Sequence, residues 1–531
     1  MKRTLWISCI LWLATPIAAQ QVNETEEFSG QSCTSIMVGR LASTDGSVIT
    51  SHTCDGRYRT WAFVEPAADH AKEDLHDVCR GTMNTSFHGD TTGVRLVGQI
   101  PEARHTYAYL NVGYPCLNEK QLAIGETTFS GPDTLINPKG MFTIEELERV
   151  ALMRCDNARD AIRLIGSLIS KYGYGDAGEC ITLADKNEVW QMEILGAGPD
   201  VIGGIWAARR IPDDHVGVSA NIPRIGTIDR KDKEFCMASD NVEKVAKQYG
   251  LWDGKGEFSF WRAFHSDYGD GHNYSDREYF ILNALAPSLG LTRDMDELPF
   301  SVKPDSLVDV RQVMELFRST FEGTFMDMCQ NVKMSTQRKN EEGNVYTDTI
   351  VSPIANPWLS STMRNTLNTL CEGTVEFRRT VAVAWCAYSH ITQLRNWLPD
   401  EVGGICWYSV DNPAQSPRIP IFSGTTRLPE AYDRCGQYAY DPTSALWQFR
   451  KANKLATVAW QSTKKQLTTQ VLESETAAFE GLKGLEEHVK TSTPERASAL
   501  LNAYTANVYS DAVSRWEKLE SSFWTRFGLG F

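Results

Sequence analysis

A thiol and a carboxylate stand near the two ends of one short hairpin. Residues 33–55 read Cys-Thr-Ser-Ile-Met-Val-Gly-Arg, Leu-Ala-Ser-Thr-Asp-Gly, then Ser-Val-Ile-Thr-Ser-His-Thr-Cys-Asp. Residues 35–38 and 47–51 are rich in Ile, Val and Thr, the side chains that suit a pleated, half-buried surface. Asp-Gly between two such runs is a hairpin signal. A turn centred between Thr44 and Asp45 sets Cys33 opposite Gly56 and beside Asp55, with strands about 4.8 Å apart. A thiolate is a nucleophile, and a nearby carboxylate can hold whatever base activates it. The plainer alternative is an ordinary hairpin with a buried cysteine, and the hairpin by itself leaves both open.

Other chemistry-bearing patterns are weaker. Gly-x-Ser-x-Gly and His-Glu-x-x-His do not occur, which removes the simplest serine-hydrolase and zinc-protease readings. No Cys-x-x-Cys pair occurs, and the ten histidines show no metal-ligand spacing, so no metal site and no cofactor is expected. Asp267, Asp270 and Asp276 lie in a Gly-rich loop, but their offsets miss the EF-hand pattern, and a solvated loop is expected. Gly173 to Gly178 spells Gly-x-Gly-x-x-Gly, yet a helix precedes it and a strand follows. That is the reverse of a dinucleotide site, so these glycines are expected to end a helix. The Asn-x-Ser/Thr sites at Asn23, Asn84 and Asn273 matter only in a glycosylating host.

The elements that must hold the hairpin fit a large protein. The chain has 531 residues, 42% of them hydrophobic, and a formal net charge of −14. That charge argues against general nucleic-acid binding, which needs a basic face. Lys2 and Arg3, an apolar run over residues 5–14, and Ala18-Ala19 form a secretory signal; the run is too short to span a membrane. Residues 20–32 are polar, acidic and without periodicity, as a removable propeptide or a plain flexible terminus would be. Of 13 cysteines, Cys9 leaves with the signal. A free Cys33 then leaves an odd number, so at least one more is unpaired.

Strands are expected over residues 59–64, 106–110, 122–128, 180–184, 189–193, 216–219, 375–385 and 404–410. Thr143 and Glu146 form a capping box at the start of a helix, and residues 157–172 keep a helical period. Helical stretches are also expected near residues 241–249 and 306–320. Asn118-Glu-Lys-Gln121 reads as a turn and residues 411–420 as a proline-rich loop. From residue 441 the chain is almost wholly helical, with Thr493-Pro494 as N-cap and first helical residue. Strands, then a helical pair, then strands again fit helices layered on stacked antiparallel sheets.

Together these stretches resemble a specific family. The opening motif, the Asn118 turn, Gln393-Leu-Arg-Asn-Trp-Leu-Pro, Gly403-Gly-Ile-Cys-Trp-Tyr and Asp411-Asn-Pro-Ala-Gln-Ser-Pro-Arg are similar to the cysteine dipeptidases of the N-terminal-nucleophile (Ntn) hydrolase superfamily, relatives of penicillin V acylase and choloylglycine hydrolase. The resemblance covers residue 33 to about residue 450. It implies an α+β, four-layer αββα sandwich with a helical C-terminal region. It also implies removal of everything before Cys33 and hydrolysis of dipeptides or short peptides. The boundaries that follow are a signal at 1–19, a propeptide at 20–32 and a catalytic domain at 33–440 with a mixed insertion around 230–350. A helical region at 441–531 completes the chain.

Roles carry over by position. Cys33, once N-terminal, supplies thiol and α-amine, and an amine titrating near pH 8 can act as base toward its own thiol. Asp55 matches the aspartate that holds that amine. Asn221, in Ser-Ala-Asn-Ile-Pro, matches an oxyanion-hole donor. The related acylases place a second Asn donor where Thr128 stands here, and an Arg where His52 stands. His52 could stabilise a thiolate only when protonated, which would make activity pH-sensitive. Arg277, in Ser-Asp-Arg-Glu-Tyr-Phe, matches a family active-site Arg. The expectation is an exported cysteine dipeptidase in the periplasm, at the cell surface or in the medium, with a peptide substrate, no cofactor, no nucleic acid and no membrane span; a homo-oligomer stays open. The alternatives are an acylase cleaving a penicillin-type or bile-acid-type amide, and a non-catalytic exported binding protein on the same scaffold.

Overall fold

A computed structural model describes residues 32–265 and 272–530. The signal, all but the last residue of the leader, Asn23, Asp267 and Asp270 lie outside the described residues. The chain is mixed α/β, with eleven α-helices among the described residues and two large antiparallel sheets.

The described residues open with β1 (Ser32–Val38) and β2 (Val48–Asp55). β3 (Ala123–Ser130) and β4 (Gly178–Ala184) form a second pair, and β5 (Cys386–Leu394) and β6 (Gly404–Val410) a third. The first sheet has seven strands and runs Ser301–Val302, Val216–Ser219, β1, β2, β5, β6, Ile419–Phe422. The second has eight, with β3 and β4 at its middle. β2 is buried at every residue, as a strand covered on both faces must be.

The two sheets meet through β2, β3 and β4. Thr50 Oγ1 on β2 lies 2.6 Å from Thr182 Oγ1 on β4. Gly125 on β3 permits the approach, because a Cβ there would collide with the Ser51 carbonyl oxygen. Helices α1 (Ile144–Arg154) and α2 (Ala158–Tyr172) pack against the second sheet. Helix α3 (Asp276–Leu285) lies on the Val216–Ser219 strand. The C-terminal helices α4 (Ala445–Val458), α5 (Trp460–Lys490) and α6 (Pro494–Phe527) lie on the first sheet. Trp516 and Phe523 of α6 belong to the same apolar core as Ile124 of β3 and Ile162 of α2.

Most local expectations have a counterpart here. Asn157 caps α2 through the Asp160 N–H, Gly173 ends it at φ 84°, and β4 follows. Thr493 caps α6 with Pro494 at the first position. The Asn118 turn forms, its side-chain Oδ1 accepting from Lys120 N and Leu122 N. Four expectations need correction. Cys33 pairs with Cys54, and Ser32 with Asp55, because the strands are joined by a longer irregular segment than a two-residue turn. The capping box at Thr143 does not close: Thr143 makes no side-chain cap, and Glu146 instead contacts His76 at 3.0 Å and Arg149 at 3.1 Å. Of residues 59–64 only Phe63 and Val64 lie in a strand, Phe63–Glu65. Residues 375–385 form no strand, while β5, directly after them, does.

Candidate active site

β1 places Cys33 inside the molecule, 1% exposed, facing β3. Its backbone N–H donates to Asn221 Oδ1 at 2.9 Å, and its carbonyl accepts from Arg277 Nη1 at 2.5 Å. Arg277 also donates to Thr34 Oγ1 at 3.0 Å, Ala220 O at 3.0 Å and Asn221 Oδ1 at 2.9 Å. It is 4% exposed, where an ordinary helical arginine would face water, and burial followed by nearby Arg379 lowers it to about 9. Helix α3 carries it there, and the Glu278 carboxylate, accepting from the Ser275 backbone N–H, fixes the helix start.

Asn221 follows the Val216–Ser219 strand and adopts φ 67°, a conformation asparagine tolerates better than most residues. Its amide is engaged at both the oxygen and the nitrogen. Oδ1 takes the Cys33 and Arg277 donors, and Nδ2 donates to Thr128 O at 2.6 Å. The Thr128 hydroxyl points elsewhere, to Glu126 Oε1 at 3.1 Å.

Asp55 is fully buried at the end of β2, next to the Cys33 pair. Its Oδ2 accepts from Thr53 Oγ1 at 2.8 Å and from Arg379 Nη2 at 2.5 Å. Arg379 holds Ser32 Oγ as well, at 2.8 Å, so one guanidinium bridges the residue before Cys33 and the carboxylate across from it. Asp55 Oδ1 has no partner.

His52, two strand positions before Cys54, lies on the same buried face. Its Nδ1 is 2.6 Å from the Glu126 carbonyl oxygen. A contact that short to a carbonyl makes Nδ1 the donor, which leaves Nε2 an acceptor with no partner. Burial lowers its pKa, outweighing Glu126. The ring is therefore neutral near pH 7, and the expected protonated role is disfavoured.

The structure thus gathers Cys33, Asp55, Asn221, His52, Arg277 and Thr128 around one short stretch of β1. It adds two residues the sequence reading missed. Glu126 on β3 accepts from Cys33 Sγ at 3.4 Å, and it is the only charged residue in its strand. Arg379 comes from a segment read as a strand. Burial, then Glu126, hold the Cys33 thiol well above its ordinary value, so it rests as a thiol and needs a base.

Two trios have ligand atoms within 4.8 Å of one another: Cys33, His52 and Glu126, and deeper, Cys116, His390 and Cys406. By type both suit a soft cation, but the first holds the nucleophile candidate itself. The Cys116 and Cys406 sulfurs are 3.8 Å apart, too far for a disulfide. All twelve described cysteines are free thiols. Among the described residues no helix is long and apolar enough to cross a membrane.

Known proteins carry similar sequences. A protein named "Probable dipeptidase" from Latilactobacillus sakei is 26% identical over 427 residues, 77% of each chain. "Dipeptidase A" from Lactobacillus helveticus is 22% identical over 418 residues, 75% of this chain and 77% of that one. A "Probable dipeptidase" from Salmonella dublin is 25% identical over 402 residues, 74% of this chain and 81% of that one. The profile of peptidase family C69 matches residues 32–473, taking in every site residue named above. On that match the chain belongs to peptidase family C69.

Proposed function

We propose that this protein is an exported cysteine dipeptidase whose nucleophile is Cys33, made N-terminal by removal of residues 1–32. The observation that carries this reading is the setting of Cys33. Its backbone nitrogen is already gripped by Asn221, its carbonyl by Arg277, and Asp55 waits across the hairpin. A backbone nitrogen needs such fixing if it is to become a working group. The names of the relatives at about 25% identity support the substrate class. The start of the family match at residue 32 fits a mature chain beginning there or just after.

In this reading the fold is the four-layer αββα sandwich of Ntn hydrolases, with 33–440 as the catalytic domain and 441–531 as a helical region. Residues 1–19 direct export and 20–32 form the propeptide. Leader removal converts the Cys33 amide into an amine, which takes the thiol proton. The thiolate attacks the scissile carbonyl, the amine returns the proton to the leaving amino acid, and water releases the acyl thioester. Asn221 holds the amine through Oδ1; Arg277 fixes Cys33 from the other side. The precursor lacks the base and is inactive.

The test is the mass and N-terminal sequence of the exported protein, with dipeptide hydrolysis measured alongside. A chain starting at Cys33 is expected. Cys33→Ala should lose hydrolysis altogether. An active chain starting elsewhere, or an active Cys33→Ala variant, would overturn the mechanism.

A further inference from the structure

Glu126 is badly placed for a bystander. Its Oε2 lies 3.4 Å from Cys33 Sγ, and no lysine or arginine among the described residues forms an ion pair with it. A negative charge there opposes thiolate formation. Behind it stands Glu179, on β4 directly opposite Thr128 and 3% exposed. Glu126 and Glu179 are diagonal neighbours on one face of the β3–β4 pair, and Glu179 Oε2 has no partner. Two buried carboxyls side by side are costly unless one keeps its proton or a cation joins them.

A dipeptide brings that cation. Its free α-ammonium nitrogen stands about 2.5 Å from the carbonyl carbon under attack, a distance set by backbone geometry. At attack the sulfur lies about 3–3.5 Å from that carbon. The ammonium therefore falls in the shell around Sγ where Glu126 Oε2 already sits. We propose that the Glu126 carboxyl, backed by Glu179, is the subsite for the substrate's free α-ammonium group, and that it confines hydrolysis to peptides with an unblocked N terminus. This inference rests on the dipeptidase reading. An ammonium held there also offsets the charge facing Sγ, so the thiol is activated when a correct substrate is bound. That makes discrimination appear in kcat as well as KM.

The experiment compares alanyl-alanine with lactoyl-alanine, which has the same scissile amide but a hydroxyl in place of the amine, on the mature enzyme. The wild type should favour alanyl-alanine by at least about 100-fold in kcat/KM, as sites built for a buried polar group do. Glu126→Gln should bring that preference below 10-fold, the loss falling on alanyl-alanine. Glu126→Asp should keep the preference at a lower rate. A wild type that hydrolyses both substrates within 10-fold overturns the subsite without any variant. So does Glu126→Gln that keeps the preference, or that loses both substrates equally. A wild type with Cys33 at its N terminus that cleaves neither substrate overturns the dipeptidase reading itself.

Discussion

The His52 ring packs among Tyr114, Tyr388 and His390, with centroids 5.4 to 5.9 Å away. Nothing around it rewards a proton except Glu126 and Asp55, and burial outweighs both. A histidine with a depressed folded value contributes fully to stability above the ordinary value near pH 6.5 and loses that contribution as pH falls. His52 therefore titrates below the ordinary histidine value, with burial as the cause. Between about pH 6.5 and 8 the kcat/KM profile of His52→Gln should have the same shape as the wild type, lower in height by about 10-fold. A neutral-range limb that vanishes in the variant would restore the charged role. At this scale the sequence was readable in part. Cys33, Asp55, His52, Asn221, Thr128 and Arg277 stood out through the hairpin and the family resemblance. Glu126 also carried a signal, a lone charge in the strand Ala-Ile-Gly-Glu-Thr-Thr-Phe-Ser. Burial alone gives such a charge meaning, and burial is not in the local pattern.

Elements were legible where a cap or turn residue enforces them, and illegible where partners lie far off in sequence. The stretch Val381-Ala-Val-Ala-Trp alternates like a strand, yet its first two carbonyls are taken by side chains. Arg379 Nη1 reaches Val381 O at 3.1 Å, and Thr380 Oγ1 and Trp358 Nε1 both reach Ala382 O. With those acceptors satisfied, no neighbouring strand is needed. The same loop delivers Arg379 to Asp55, so a misread strand and a missed site residue have one cause. The ion pair is 2.5 Å long, with Asp55 fully buried and Arg379 at 18% exposure. Removing one partner leaves a buried charge alone, which typically costs about 3 kcal/mol. Urea unfolding should show Arg379→Ala destabilised by that order, and Arg379→Ala with Asp55→Asn recovering most of it. A double variant no more stable than the single would mean that Arg379 acts by packing its loop.

Across the whole molecule, the helical C terminus could be read from its caps, but its docking on the first sheet could not. Neither could the burial of an acidic row between β3, β4 and α1. Glu145, Glu148 and Glu179 are all interior. Burial raises Glu145 to about 7 and lifts Glu148 well above the carboxyl range, with Glu126 and then Glu145 adding to it. Both Glu148 oxygens lack partners. A carboxyl whose folded value is raised contributes its stability below the ordinary value near pH 4.5 and loses it as pH rises toward the folded value. The folded state must hold that proton, at about 1.4 kcal/mol for each pH unit. Glu148→Met, close in volume and apolar, should therefore stabilise the protein little at pH 5 and by up to about 3 kcal/mol at pH 7. Chemical denaturation at the two pH values measures the difference. An equal gain at both would mean that packing, and not the proton, is the source. A loss at pH 7 would mean that Glu148 meets a cationic partner in solution.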